Sequence, residues 1–320
     1  MKYCFILNPA AGKGEHTEAL KQSIDSVCGE RGVDYEVYRT ACVGDATEYV
    51  KRRVAEDPSE QYAFYACGGD GTLCEVVCGA MRLPEDVQVS VGLIPSGTGN
   101  DFVRNFSERE RFFDIEAQLD AEALPIDLIR CNGLYAINMI NVGFDCEVVV
   151  KTARLKKKKL IPSKLAYVAG LVITLIRKPG VRMKLVTDGA EREDKPYLLN
   201  TYANGCFCGG GFHSNPNAEL CDGKIDVLFV HNISRRKFIS LVGDYKKGTH
   251  LQPKFGEILQ NEKVDSVDLY FDDQTNVSVD GEVIQAKELH LSVLQGALRF
   301  LIPKGAAFLS AVKRVEVARA

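Results

Sequence analysis

Three glycine-rich segments hold the residues best suited to chemistry in this chain. They are NPAAGKG at 8–14, CGGDGT at 67–72 and IPSGTGND at 94–101. Glycine lets backbone N–H groups approach an anion closely, and a helix that begins directly after Thr72 would add the positive end of its dipole. Together the segments predict a binding site for a phosphate chain.

A single carboxylate, Asp70, lies among the glycines of the second segment. Because a carboxylate repels phosphate, we expect Asp70 to act through Mg²⁺ or a water of the Mg²⁺ shell, with hydroxyl donors from Thr72, Ser96 and Thr98. Two plainer interpretations stay open. Asp70 could cap the helix that follows, and each segment could be only a tight connection between a strand and a helix. The first segment is not a Walker A motif, because the chain has no G-x-x-x-x-G-K-[ST] pattern.

The elements that must position these segments alternate regularly over the first 130 residues. Helical spacing runs from Leu20 to Cys28, at 44–56 and at 72–81, and strand-like runs occupy 3–7, 33–40, 62–67 and 87–95. This order is typical of an α/β domain with a mostly parallel sheet, in which ligands bind beyond the carboxyl ends of the strands. We therefore expect the three segments to share one edge of the sheet.

The second half of the chain has a different pattern. Strand-like runs separated by turn residues dominate to about residue 303. We therefore predict an α/β domain at 1–127 and a β-rich domain at 128–320. The C-terminal stretch at 306–320 is predicted either to pack back on the first domain or to fray.

Composition restricts the class of protein. The 320 residues are 46% hydrophobic and 26% charged, as is usual for a soluble globular protein. A formal net charge of −3 gives no overall attraction to nucleic acid, so no nucleic-acid partner is predicted. Eleven cysteines without a CxxC pair or zinc-like spacing indicate reduced core residues of a cytoplasmic protein. The apolar run that ends at Asn8 is too short for the core of a signal peptide.

Four motifs together resemble the diacylglycerol kinase catalytic family, which includes sphingosine kinases and bacterial lipid kinases. GGDGTLCEVV, GLIPSGTGNDFVRN, NVGFDCEVV and SVDGEV occur in the family's order and span nearly the whole chain. GGDGT alone also resembles phosphofructokinases and NAD kinases, whereas GGDGT followed by GTGND is specific. The resemblance implies a nucleotide-binding α/β domain, a sandwich-like domain that receives the lipid, and ATP and Mg²⁺ as cofactors.

The resemblance also implies roles for individual residues of the first domain. Asp101 and Asp127 match acidic positions that link metal-bound water to the rest of the site, although Asp127 could also be an exposed acid at a strand edge. The implied nucleotide and metal-associated residues are Asn8, Thr40, Gly68, Gly69, Asp70, Gly71, Thr72, Ser96, Gly97, Thr98, Asp101 and Asp127.

The reaction of this family needs a base, because a lipid hydroxyl must lose its proton as it attacks the γ-phosphoryl group. In VDGEV at 279–283, the resemblance implies that Glu282 accepts this proton and that Asp280 is its neighbouring acid, with Asp70 completing the catalytic set. Closure of the two domains would then gate catalysis. By spacing alone, the motif predicts only a β-hairpin turn followed by a solvated Glu282.

A structural Mg²⁺ site is implied in NPNAELCDGKIDV at 215–227. Its ligands would be the carboxylate of Asp222 and the carbonyl oxygens of Glu219 and Lys224, which suit a hard cation. The Asp222-Gly223 pair equally predicts an ordinary hairpin turn.

A basic cluster precedes the apolar segment at 160–176. Because Pro162 and Lys164 lie near its start, that segment favours a packed helix over a membrane span. The cluster is either a solvated face or a contact to anionic lipid, worth on the order of 1 kcal/mol per charge near the surface. We expect peripheral association with the inner face of the membrane through Lys156, Lys157, Lys158 and Lys159.

These observations predict an ATP-dependent lipid kinase of phospholipid biosynthesis, with diacylglycerol as the first acceptor and phosphatidic acid as the product. Sphingoid bases and phosphatidylglycerol stay open as acceptors. An NAD-kinase-like phosphotransferase is disfavoured by GTGND and the late DGE motif. A non-catalytic nucleotide-binding regulator is disfavoured by the presence of both Asp70 and Glu282. An exposed strand edge in the second domain would support a homodimer.

Overall fold

The chain divides into two compact units. A computed structural model describes residues 1–13, 17–156, 174, 180–192 and 196–310. The first unit contains Met1–Leu128 and Gln295–Ala320, of which the residues up to 310 are described, and the second contains Ile129–Leu294. The sequence pattern predicts a single boundary after residue 127, whereas the chain here returns to the first unit from Gln295 onward.

The first unit alternates strands and helices. Its strands are β1 (Lys2–Leu7), β2 (Tyr35–Arg39), β3 (Tyr62–Gly68), β4 (Val89–Pro95) and the larger part of β5 (Glu122–Cys131). Its helices are α1 (Thr17–Arg31), α2 (Asp45–Glu56), α3 (Asp70–Ala80) and α4 (Ile115–Leu119). Short 3₁₀ segments lie at Ala11–Lys13, Phe102–Asn105 and Arg109–Phe113.

The strands of the first unit pair in the order β4-β3-β1-β2, and each of these pairs is parallel. Phe5, for example, pairs with Val37 of β2 on one side and with Tyr65 of β3 on the other. In the returning part of the chain, Phe300 pairs in parallel with Val91 of β4. The carboxyl ends of β1, β3 and β4 therefore lie at one edge of the sheet.

Helices on both faces of this sheet explain why its strands read as continuous apolar runs. β3 is buried along its whole length. On one face, Tyr65 packs in a cluster with Ile24 and Cys28 of α1. On the other face, Tyr49 of α2 meets the ring of Phe64 edge-on, with 6.4 Å between the centroids. Strands covered in this way have no polar face to alternate with the apolar one.

The second unit consists mainly of strands. Its strands are β6 (Leu134–Ala136), β7 (Met139–Gly143), β8 (Val181–Thr187), β9 (Ala190–Glu191), β10 (Pro196–Ala203), β11 (Ile225–His231), β12 (Leu259–Val264), β13 (Ser266–Val279) and much of β14 (Glu282–Ile302). Its helices within the described residues are α5 (Phe144–Lys156) and α6 (Arg235–Lys247), with a 3₁₀ segment at Pro253–Phe255.

The strands of the second unit pair antiparallel in the order β12-β11-β10-β7-β13-β14, and β8 pairs with both β10 and β13. The prediction of a second, β-rich domain is confirmed. The mostly parallel sheet predicted for the first domain is present in the β4-β3-β1-β2 pairs. Among all the strand pairs of the described residues, antiparallel pairs are more numerous than parallel ones.

Alternation along β11 shows how the core of the second unit is built. Val227 and Phe229 join a cluster formed largely by strand residues, whereas Leu228 and Val230 join a cluster with the helices α5 and α6. Since successive side chains of a strand point to opposite faces, β11 has helices on one face and strand side chains on the other. The apolar sequence of β11 follows from this double burial.

Candidate active site

The three glycine-rich segments contact one another beyond the carboxyl ends of β1, β3 and β4. Gly12 has a φ of 57°, and a Cβ at this position would lie 2.2 Å from the carbonyl oxygen of Ser96. A Cβ on Gly97 would lie 2.5 Å from Cα of Gly69. The N–H of Ser96 also donates to the carbonyl of Gly68 at 2.8 Å. Glycine is therefore required where the backbones of neighbouring segments touch.

Asp70 ties the second segment to the third. It is the first residue of α3, whose N-cap is Gly69 without any side-chain capping bond. The Asp70 carboxylate accepts the backbone N–H of Asp101 at 3.1 Å and that of Phe102 at 3.0 Å. The interpretation of Asp70 as a helix cap is therefore wrong. Its negative charge nevertheless favours the start of α3, where the helix dipole is positive.

Asn8 and Thr72 join the first segment to the second. Nδ2 of Asn8 donates to Oγ1 of Thr72 at 2.9 Å, and Oδ1 of Asn8 accepts the N–H of Ala10 at 2.9 Å. Thr72 is buried, and a Cβ on Gly68 would lie 2.2 Å from its Oγ1. These two side chains thus shape the backbone of the loops.

The third segment has an exposed hydroxyl on Thr98, and a cation that sequence reasoning missed, Arg104, lies three residues beyond the end of the segment. Thr98 is exposed to solvent. Arg104 donates from Nη2 to the carbonyl of Gly99 at 3.2 Å, and its Nε lies 3.3 Å from Oδ1 of the buried Asp101. The signal for Arg104 was its place in GTGNDFVRN, three residues after Asp101. Arg104 holds both the loop backbone and this acid.

Gly99 leaves space beside two carboxylates. A Cβ at Gly99 would lie 3.2 Å from Oδ2 of Asp70 and 3.7 Å from Oδ2 of Asp101. Carboxylate oxygens suit Mg²⁺, which usually keeps several waters and binds through one or two protein carboxylates and substrate phosphates. No group of three or more His, Cys, Asp and Glu side chains in the described ranges is arranged to hold a metal. The donors here therefore fit Mg²⁺ that arrives with a phosphate chain.

Thr40 and Asp127 are also held by backbone contacts in the first unit. The N–H of Thr40 donates to the carbonyl of Leu7 at 3.0 Å, which places Thr40 beside the carboxyl end of β1. Asp127 is buried, and its Oδ1 accepts the N–H of Gly296 at 2.7 Å. The interpretation of Asp127 as an exposed acid at a strand edge is therefore wrong. Its implied link to metal-bound water stays a prediction.

Asp280 and Glu282 have different surroundings in the second unit. Asp280 and Gly281 have φ angles of 46° and 90°, and they form the predicted hairpin turn between β13 and β14. The Asp280 carboxylate accepts three backbone N–H groups, from Ile137 at 2.7 Å, Asn138 at 3.1 Å and Met139 at 2.7 Å. Glu282 is exposed. Asp280 therefore holds the turn in place and presents Glu282 directly after it.

The predicted structural metal ligands make contacts with lysines. Oδ1 of Asp222 accepts the backbone N–H of Lys224 at 3.1 Å, and Oδ2 contacts Nζ of Lys263. The same Nζ lies 3.6 Å from Oε1 of Glu219. Nζ of Lys224 donates to Asp265 at 2.6 Å. An ammonium group thus lies beside the Asp222 carboxylate, which the resemblance assigns to Mg²⁺, and near the side chain of Glu219.

An apolar cavity with one acid lies between α5, β10 and α6 in the second unit. Its lining includes Phe144, Val148, Phe238 and Leu199, with Asp145 among them. Burial raises the pKa of Asp145 to about 6, although Tyr245 donates a hydrogen bond to the carboxylate at 2.9 Å. This cavity is a second feature that sequence reasoning missed, because NVGFDCEVV is recognised as a motif but does not show which distant residues surround Asp145.

The predicted membrane contact falls largely outside the described residues. Lys157, Lys158 and Lys159 are not described, and the side chain of Lys156 is not described either. Of the segment at 160–176, only Thr174 is among the described residues. In the parts of the chain that are described, no helix is long and apolar enough to cross a membrane.

Comparison with known proteins agrees with both units. The model of the diacylglycerol kinase catalytic domain matches residues 2–131, and that of the YegS C-terminal NAD kinase beta sandwich-like domain matches residues 138–302. A probable lipid kinase YegS-like protein of Chromohalobacter salexigens is 26% identical over 81% of this chain and 82% of its own. The diacylglycerol kinase of Bacillus subtilis is 28% identical over 87% of this chain and 88% of its own.

The fold is also similar to that of a solved structure. The crystal structure of a diacylglycerol kinase from Bacillus anthracis matches 95% of this chain and 97% of its own, with a TM-score of 0.69 and 21% identity. The two family models follow one another along nearly the whole sequence, in the order of the motifs in the two units. The chain therefore belongs to the diacylglycerol kinase catalytic family of lipid kinases.

Proposed function

We propose that the protein transfers the γ-phosphoryl group of Mg·ATP to the hydroxyl group of a lipid, with diacylglycerol as the first acceptor and phosphatidic acid as the product. One observation carries the proposal. Three glycine-rich turns meet at one edge of the parallel sheet, and their backbones approach so closely that a Cβ on Gly97 would lie 2.5 Å from Cα of Gly69. Such a cradle suits a phosphate chain.

The residues of the first unit would orient the nucleotide. Backbone N–H groups of the cradle and the exposed hydroxyl of Thr98 are donors for phosphate oxygens. Asp70 keeps the third segment in place through the N–H groups of Asp101 and Phe102. When bound, Mg²⁺ supplies positive charge that offsets the charge of the phosphates, and Asp70 and Asp101 are the carboxylates that would hold it.

In the second unit, Glu282 would accept the proton of the lipid hydroxyl. The hydroxyl oxygen forms a bond to the γ-phosphorus, the bond from that phosphorus to the β–γ bridging oxygen breaks, and ADP leaves. An exposed carboxylate suits this role because an acceptor can reach it. Asp280 is a positioning residue in this scheme, since three backbone N–H groups occupy its carboxylate.

A lipid acceptor is supported by the match to the diacylglycerol kinase catalytic domain. Peripheral binding to anionic membrane through Lys156, Lys157, Lys158 and Lys159 belongs to the same proposal, as does a cytoplasmic location. Vesicle sedimentation of a variant with all four lysines changed to Gln tests this part. Unchanged sedimentation with anionic vesicles would remove it.

The decisive experiment measures transfer of labelled γ-phosphate from Mg·ATP to diacylglycerol, sphingosine, phosphatidylglycerol and NAD. Wild type is compared with Glu282→Gln and with Glu288→Gln, which changes an exposed acid farther along β14. We expect labelled phosphatidic acid from wild type and Glu288→Gln, and at least a ~100-fold loss in Glu282→Gln.

Other outcomes are equally informative. Labelling of sphingosine or phosphatidylglycerol alone would keep the lipid kinase and change the acceptor. Labelling of NAD alone would replace the proposal with a phosphotransferase that acts on a soluble acceptor. ATP binding without any transfer would leave a nucleotide-binding regulator.

A further inference from the structure

The loop that precedes β11 is anchored to the second unit by buried polar residues. The side chain of Asn215 accepts a hydrogen bond from Thr201 at 2.6 Å and donates to the carboxylate of Asp226 at 2.7 Å. Asn261 of β12 donates to the same carboxylate at 2.8 Å. These contacts fix both the start of β11 and its partner strand β12. The acidic residues Glu219 and Asp222 lie in the loop between Asn215 and Asp226.

Lys263 of β12 extends its side chain to these acids. It is the cross-strand partner of Asp226, and its side chain is only 32% exposed. Its ammonium group contacts Oδ2 of Asp222 and lies 3.6 Å from Oε1 of Glu219.

The residues present do not fit the Mg²⁺ site that the resemblance implies. Asp222, the single side-chain ligand of that site, already has a cationic side chain of the protein beside it. Oδ1 accepts the N–H of Lys224 at 3.1 Å, and Oδ2 contacts Lys263. A divalent cation beside the Lys263 ammonium would also meet strong repulsion between like charges. Mg²⁺ further demands near-octahedral oxygen donors at short distances.

We propose that the ammonium group of Lys263 takes the place of the Mg²⁺ that the resemblance implies at this loop, so that the loop folds without metal. The ammonium compensates the two carboxylates and joins the loop to β12. This inference concerns the second unit alone and does not depend on the proposed kinase activity.

The test uses the full-length protein free of nucleotide, with the melting temperature measured in EDTA and in excess Mg²⁺. The variants are Lys263→Met, which keeps the length of the side chain without its charge, and Lys224→Met. Lys224→Met is the matched control, because the Lys224 side chain pairs with Asp265 and not with Asp222.

We expect wild type and Lys224→Met to melt at the same temperature in EDTA and in Mg²⁺. We expect Lys263→Met to melt about 3–6 °C lower in EDTA and to recover part of this loss in Mg²⁺. The proposal is overturned if EDTA lowers the melting temperature of wild type but not of Asp222→Asn. It is also overturned if Lys263→Met is as stable as wild type in EDTA, or gains nothing from Mg²⁺.

If Lys263→Met does not fold, Lys263→Arg and direct metal titration decide the question. We then expect Lys263→Arg to fold and to melt at the same temperature with and without Mg²⁺. Titration of wild type with Mn²⁺, followed by its paramagnetic signal, should show no binding that depends on Asp222. Stoichiometric Mn²⁺ binding that Asp222→Asn abolishes would overturn the proposal.

Discussion

The carboxylate of Asp280 accepts the backbone N–H of Met139 at 2.7 Å. It also accepts the N–H groups of Ile137 and Asn138, so the turn before β14 is bound to the start of β7 by one side chain. Glu282, two residues later, is exposed instead. Two acids of one short motif therefore have different surroundings, since backbone donors hold Asp280 while Glu282 is exposed.

This separation predicts different effects of substitution in the DGE motif. We expect Asp280→Ala to lower the free energy of unfolding by about 2–4 kcal/mol, because it leaves several N–H groups without a charged acceptor. Glu282→Gln should change that free energy by less than about 0.5 kcal/mol, as is usual for an exposed position. Urea unfolding of both variants measures the difference. An equal loss of stability in the two variants would contradict it.

Asp70 supports a prediction about nucleotide binding. In Asp70→Asn, the amide group cannot accept from both Asp101 and Phe102 as the carboxylate does, and the NH₂ group would face one of these N–H donors. We expect the affinity for ATP to fall by about 10–100-fold, equivalent to the loss of one charged hydrogen bond. Isothermal titration checks this, with Glu48→Gln, an exposed acid of α2, as control. Unchanged affinity in Asp70→Asn would show that the third segment does not depend on this contact.

The contact between Gly97 and Gly69 predicts that a single methyl group disrupts the cradle. A Cβ on Gly97 would lie 2.5 Å from a backbone Cα, which no change of side-chain rotamer relieves. We expect Gly97→Ala to lower ATP affinity by at least ~10-fold, because the loops must separate. Gly29→Ala is the control, since a Cβ at Gly29 meets nothing within 4 Å. Equal affinity in the two variants would argue against a tightly packed cradle.

Asp145 predicts a pH dependence of stability. Burial raises its pKa from 3.8 to about 6 in the folded protein, so the folded state holds the proton more tightly than the unfolded state. Its contribution to stability is therefore fully present below pH 3.8 and is lost as the pH rises through about 6. Asp145→Asn never ionises and does not lose this contribution.

The measurement for Asp145 is the difference in unfolding free energy between Asp145→Asn and wild type from pH 4 to pH 8. This difference should rise in favour of the variant by up to about 3 kcal/mol and then level off above pH 6–7. A difference that stays constant from pH 4 to pH 8 would show that burial does not penalise the ionised form of Asp145. Other groups that titrate in this range are present in both proteins, so their effect on the unfolding free energy cancels in the difference.

The local parts of the fold could be read from the sequence. Strand, glycine-rich turn and helix follow one another directly between Tyr62 and Ala80, and hydrophobic period and turn chemistry are properties of such short stretches. The parallel order of strands then requires the three turns to share an edge. For the same reason the turn at Asp280-Gly281 was predictable, since positive φ at both residues suits these residue types.

The contacts of individual acids could not be read in this way. The Asp127 carboxylate accepts the N–H of Gly296, which is 169 positions away. The Asp70 carboxylate accepts the N–H groups of Asp101 and Phe102, which follow β4. The sequence shows that such acids exist but not which donors will face them. The two plainer interpretations, a helix cap for Asp70 and an exposed acid for Asp127, are wrong. In both cases the donors that the acid meets are brought to it by the packing of segments that are distant along the chain.

By itself, the sequence determined the alternation of elements, the family motifs and the edge of the sheet at which the glycine-rich turns lie, because each depends on neighbouring residues. Only the tertiary structure decided that Asp280 is occupied by backbone donors while Glu282 is exposed, and that Lys263 reaches Asp222 from another strand. Side-chain partners depend on strand register and on burial, and both are set by long-range packing.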